Sequence, residues 1–164
     1  VVDPERVPND APPPAGADVE LGPLVRHIGY ALRRAQLAVF GDFIATLERV
    51  DLRPGQFSVL VVIGANPGIV QRQLCEALCI KPANFVPLFN ELAQRGLTHR
   101  VAIDGRSKGL YLTPEGEALA AQAQRLVDVH QSHISAKIGP AECTRLIATL
   151  YQIANLAAVS DGAH

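Results

Sequence analysis

The sequence predicts a mainly α-helical chain with a small β wing, a winged helix-turn-helix joined to a helical dimerisation region. Three observations carry this. Apolar residues recur at spacings of three and four through most of the 164 residues, the period of amphipathic helices. Two short helices follow one another across the break Lys81-Pro82. Directly after them, two β-prone segments flank the charged turn Asp104-Gly105-Arg106-Ser107-Lys108, which reads as a hairpin. A 48% apolar composition is ample for one core. The longest apolar stretch, Val59 to Ile63, is far short of the roughly 20 residues that a spanning helix needs, so no membrane partner is expected. Three cysteines, Cys75, Cys79 and Cys143, are too few and too odd in number for a disulfide framework. With no basic leader ahead of an apolar segment, although the chain starts at Val1, a cytoplasmic location is expected.

The elements follow in order. The first 18 residues carry Pro4, Pro8 and Pro12 to Pro14 with little to bury, and predict a disordered Pro-rich arm ending by residue 20. Leu21, Leu24, Ile28, Leu32, Ala35, Val39 and Phe43 then mark one long helix to about Arg49, the core of an N-terminal dimerisation segment over 21–52. Pro54 suits the first turn of the next element. Its run Phe57 to Ile63 is ambiguous, since Val59, Val61, Val62 and Ile63 fit a buried strand as well as a helix. After the turn Asn66-Pro67-Gly68, a short helix covers Ile69 to Cys79.

In the helix after Pro82, Phe85, Leu88, Phe89 and Leu92 face inward, and Ala83, Asn84, Pro87, Glu91 and Gln94 face outward. Gly96 closes it. Leu97 to Ile103 and Gly109 to Thr113 form the two wing strands, ending a DNA-binding region over 53–113. Thr113 as N-cap and Pro114 at the first position open a helix to about Lys137. Gly139-Pro140 separates it from a last helix striped by Leu146, Leu150, Ile153, Leu156 and Ala157, so 114–160 completes the dimerisation region. These terminal stripes are broader than one small core needs, which predicts a homodimer.

Charge supports a nucleic-acid role for the wing unit. From Ile69 to Thr113 the six cations Arg72, Lys81, Arg95, Arg100, Arg106 and Lys108 face only Glu76, Glu91 and Asp104, an excess of three in a chain of net charge -1. Positive charge thus collects where the phosphates of double-stranded DNA would lie. A charged hairpin is also common on any protein surface.

The segments Leu52-Arg53-Pro54-Gly55-Gln56-Phe57, Leu92 to Leu97 (LAQRGL) and Asp104-x-Arg106-x-x-x-Leu110-x-Leu112-Thr113-x-x-Gly116 resemble the MarR family of bacterial transcription regulators. The resemblance runs from about Leu21 to Ala157, and the wing motif is its most specific part. It implies that the ambiguous run is helical. It also implies a homodimer whose first and last two helices pair, winged units on adjacent half-sites, and an effector pocket between the two regions. In Arg106 it supports a guanidinium that enters the minor groove. Asp104 either orients Arg106, a role the resemblance also supports, or simply forms the turn; Gly105 replaces the basic residue frequent there. Arg100 and Lys108 complete the wing's set of candidate DNA contacts.

In the recognition helix, Asn84 can pair bidentately with adenine or touch only phosphate. Pro87 removes a backbone donor and predicts a kink or a late helix start. For the effector, His27, Tyr30 and Arg34 share one flank of the first helix, where an aromatic hydroxyl, an imidazole and a guanidinium suit an aromatic acid. Polar residues at a dimer seam are the alternative. The segment Gly29-Tyr30-x-Leu32-Arg33-Arg34-Ala35-Gln36 resembles regulators of aromatic-acid catabolism, which implies a free aromatic acid or its coenzyme A thioester as effector. The expected function is therefore a repressor released from a pseudopalindromic operator by such a ligand, with no cofactor.

Other chemistries find less support. Cys75 and Cys79 lie one turn apart beside Leu74 and Leu78, where core packing outweighs redox sensing or metal binding. Peroxide-sensing members of the resembled family use a cysteine in the first helical region, and none precedes Cys75. His130 and His133 are also one turn apart, but no third ligand accompanies them. No catalytic motif is present, so an enzyme is not expected. A metal- or redox-responsive regulator and a helical module without DNA binding are the competing functions.

Overall fold

The computed structural model describes residues 19–103 and 107–160, and the side chains of 19–103 and 107–155. The expected N-terminal arm over 1–18 and the wing-tip residues Asp104, Gly105 and Arg106 lie outside the described residues. Six α-helices and three short strands are present among them: α1 (Ile28–Glu48), α2 (Pro54–Ala65), β1 (Ile69–Val70), α3 (Gln71–Ala77), α4 (Pro82–Gln94), β2 (Thr98–Ala102), β3 (Lys108–Leu112), α5 (Pro114–Ile138) and α6 (Pro140–Ser160). No described helix is long and apolar enough to cross a membrane. The chain divides into two compact units, Val1–Leu37 and Ala38–His164.

The first unit corrects the expectation of one continuous helix from Leu21. Gly22–Arg26 forms a 3-10 turn, and α1 starts only at Ile28. Gly22 has φ +53° and Pro23 fixes the next φ, which favours a tight turn over a regular α start. His27 is extended (φ -89°, ψ 121°) and its carbonyl accepts the amides of Tyr30 and Ala31, so it caps α1 instead of belonging to it. Leu24, Val25, Ile28 and Leu37 are exposed.

In the second unit the ambiguous Phe57–Ile63 run is helical. Phe57, Val59, Leu60 and Ile63 are buried in α2, and they join Leu47, Leu74, Phe85, Phe89, Leu92, Leu97, Leu110 and Ala123 in one core. Apolar residues also occupy its less buried side, at half-buried Val62 and exposed Val61, which explains why the run shows no clean helical period. Polar Gln56 is buried here too, its Oε1 accepting the Arg53 amide at 2.9 Å. The second correction concerns the wing. Ile69 and Val70, expected to open α3, form β1 and pair antiparallel with Leu110 and Gly109, so the sheet has three strands in the order β1-β3-β2. β2 pairs with β3 from Thr98 opposite Leu112 to Ala102 opposite Lys108. Gly109 permits the close approach, because a Cβ there would lie 3.1 Å from the backbone of Gly68.

Thr113 caps α5 as expected: its hydroxyl accepts the Gly116 amide at 3.0 Å and donates to the Gly96 carbonyl at 2.6 Å. Its own amide binds the Leu97 carbonyl at 3.1 Å. Along α6, Leu146, Ile147, Leu150 and Tyr151 are exposed.

Candidate nucleic-acid interface

Two helices and a turn set the interface. α3 ends where Leu78 returns its amide to Leu74 and Cys79 turns left-handed at φ +52°; the Ile80 amide then closes on the Cys75 carbonyl at 3.0 Å. A non-glycine residue in that region carries local strain, and here it produces the sharp turn between the helices. Cys75 is buried, with its thiol pushed up by burial and by the neighbouring Glu76. Cys79 is exposed, contrary to the expectation that both sulfurs pack in the core, because the left-handed turn carries it off the buried face of α3.

α4 starts at Pro82, and the amides of Asn84 and Phe85 both bond to the Lys81 carbonyl. Pro87 sits inside the helix, so the expected late start does not occur. Pro87 and Ala83, whose carbonyl loses its intrahelical donor, are both exposed, and solvent can satisfy that carbonyl. Phe85, Phe89 and Leu92 anchor the buried face, where the two phenyl rings are 5.4 Å apart. Ala83, Asn84, Val86, Pro87, Asn90 and Gln94 point outward.

The single charge of α4, Glu91, is held from the side. The Arg53 guanidinium binds its carboxylate, and the Gln56 amide donates to the same oxygen at 3.1 Å. At the end of α4, Arg95 donates to the Asp51 carbonyl at 2.7 Å and lies 3.3 Å from its carboxylate. These two clamps fix the tilt of α4 against the α1–α2 corner. Sequence reasoning missed them, because each joins residues far apart in the chain. Asn84 and Pro87 line a groove of about 320 Å³ together with Arg53, Gly55, Gln56 and Leu88.

The wing residues divide. Arg100 reaches from β2 over Phe89 of α4, 4.3 Å from the ring centroid, a cation–π contact that ties the wing to the recognition helix. Lys108 is exposed at the start of β3, and the Ile103 amide closes the tip onto the Ser107 carbonyl at 2.9 Å. Of the expected effector residues, Tyr30 and Arg34 fall one turn apart on α1, with Tyr30 half-buried and Arg34 exposed, while His27 precedes the helix. His130 and His133 differ in setting: His130 is buried 5.8 Å from the Phe43 ring, with Nε2 3.3 Å from the Asp42 carboxylate, and His133 is exposed. Among the described residues no group of three metal-ligating side chains occurs.

A helix-turn-helix whose second helix presents an open outer face, braced by a wing strand, defines a winged-helix regulator of transcription. No family model matches the chain. A protein named for regulation of the hcr operon in Thauera aromatica is 32% identical over 146 residues, 85% of this chain and 88% of that protein. The transcriptional repressor CouR, solved on a 23-mer DNA duplex, shares 39% identity and a TM-score of 0.81 over 84% of this chain and 99% of its own. CouR bound to p-coumaroyl-CoA gives 38% and 0.76 over 84% and 98%. A MarR-family regulator from Rhodococcus sp. RHA1 is 30% identical, with a TM-score of 0.74 over 80% of this chain and 94% of its own. The chain belongs to the MarR family of transcriptional regulators.

Proposed function

We propose that this protein is a ligand-responsive repressor that binds a pseudopalindromic operator as a homodimer and leaves it when an aromatic acid or its coenzyme A thioester binds. The observation that carries the reading is the braced, outward-facing α4, in a chain alike over nearly the whole length of a repressor solved on DNA. The exposed apolar residues of α6, Leu146, Ile147, Leu150 and Tyr151, supply a face for the second subunit. Two-fold symmetry then sets half-site centres one helical turn apart, about 10 base pairs.

In this reading Asn84 meets base edges, Lys108 meets phosphate, and Arg106, oriented by Asp104, enters the minor groove from the wing tip. The thioester is the favoured effector class, because a CouR structure holds p-coumaroyl-CoA. Tyr30 and Arg34, with His27, offer the hydroxyl and cations that an aryl group and an acid or phosphate require. An inducer must bind the DNA-incompetent state more tightly, so effector and operator weaken each other by the same factor. The test is fluorescence anisotropy with a labelled duplex from the promoter of the protein's own gene. p-Coumaroyl-CoA should release it, p-coumarate less effectively, and Arg34→Ala should raise the concentration needed. No release by aryl-CoA thioesters or aromatic acids that do bind the free protein defeats the effector assignment.

A further inference from the structure

On the proposal that α4 docks in the major groove, the composition of its outer face restricts which bases it can read. Guanine is recognised chiefly by paired donors from Arg or Lys to O6 and N7; adenine suits the donor and acceptor of Asn or Gln; thymine offers a methyl group to apolar side chains. The exposed side chains of α4 are amides (Asn84, Asn90, Gln94) and apolar groups (Pro82, Ala83, Val86, Pro87, Ala93). The helix contains no cation, and its one anion, Glu91, which would suit cytosine, is occupied by Arg53 and Gln56.

The neighbouring described guanidinium groups lie off α4, and each has a partner, the solvent-exposed Arg72–Glu76 pair being the weakest hold. Arg72 pairs with Glu76 at 2.9 Å, Arg95 with Asp51, and Arg100 stacks over Phe89. Lys81 stands before the first turn, at the edge of this face.

We infer that α4 reads A·T pairs: Asn84 and Asn90 pair with adenine edges, and Val86 and Pro87 pack against thymine methyl groups. Each operator half-site therefore carries A·T pairs at the positions under α4, with any guanine contact displaced to the Lys81 edge. Val86, 40% exposed at the flank opposite Asn84, is the leading methyl contact.

The full chain is incubated with a library of randomised duplexes, and the retained sequences are determined. A·T pairs should be enriched at symmetric positions. One retained duplex is then resynthesised with deoxyuridine for thymidine at each enriched position in turn, which removes only the methyl group. At contacted positions binding should weaken by about fourfold, the transfer value of one buried methyl. In Val86→Ala one of those positions should lose its sensitivity. Half-sites dominated by G·C, or deoxyuridine duplexes that bind unchanged throughout, overturn the inference and leave the repressor reading standing. Retention of no sequence overturns both.

Discussion

The Arg100 guanidinium carbon lies 4.3 Å from the centroid of the Phe89 ring, joining the wing to the recognition helix through one side chain. Arg100 was expected among the DNA contacts, and its contact with Phe89 supports the proposal that it braces the wing instead. Arg100→Ala should lower stability by about 0.5–1 kcal/mol in urea unfolding. It should weaken operator binding while leaving the slope of log K against log salt unchanged. A slope reduced by about one unit would instead place this guanidinium on a phosphate.

The wing-tip cation should behave in the opposite way. Arg106→Ala is expected to lower operator affinity and to reduce the salt slope by about one unit, because each ionic contact releases its own counterions. Unchanged affinity would remove Arg106 from the interface.

Gly116 tolerates no side chain. A Cβ there would lie 2.0 Å from the Leu97 carbonyl oxygen, which is fixed by the Thr113 amide. Gly116→Ala must displace backbone, and a loss of about 3 kcal/mol is expected. An unshifted urea midpoint would contradict the contact.

The Thr113 hydroxyl joins the end of α4 to the start of α5 by binding Gly96 and Gly116. Thr113→Ala should cost about 1–2 kcal/mol, and Thr113→Ser should recover most of it, as expected of an N-cap. Equal losses in both variants would point to the methyl group instead.

The thiols should separate by reactivity. Iodoacetamide should label exposed Cys79 readily, and Cys75, whose thiol is pushed up by burial and Glu76, only after unfolding. Because the unfolded chain releases the Cys75 proton first, stability should fall as pH rises through the ordinary thiol range. Cys75→Ala should flatten that decline, and an identical decline in the variant would assign it to other groups.

The fold was legible where one face of an element is buried and the other wet. The Phe85, Leu88, Phe89, Leu92 stripe marked α4 correctly, and Thr113-Pro114 marked the start of α5. The α2 run was legible only through its resemblance to a family, since apolar residues on its exposed as well as its buried side erase periodicity. Ile69-Val70 was missed as a strand because two residues have no measurable alternation, and their pairing with Leu110 and Gly109 spans some 40 positions of sequence. Cys79 was misplaced because a left-handed backbone at a cysteine has no sequence signature. Of the interface, Ala83, Asn84, Pro87 and Gln94 could be read as outward from helical geometry, whereas Glu91, expected outward, is half-buried, and exposed Val86 and Asn90 were missed. The clamps from Arg53 and Arg95 could not be read, since both depend on residues brought together by the tertiary fold.

β1 joins the front of α3 to the far edge of the wing, and Arg100 fastens the near strand to α4. The segment from Asp51 to Thr113, which holds both clamps on α4, is thereby laced into a single cartridge whose parts keep their spacing. Grafted whole into a related regulator, it should carry its DNA preference with it, whereas a graft of α4 alone would leave behind the strand and the arginines that set its tilt.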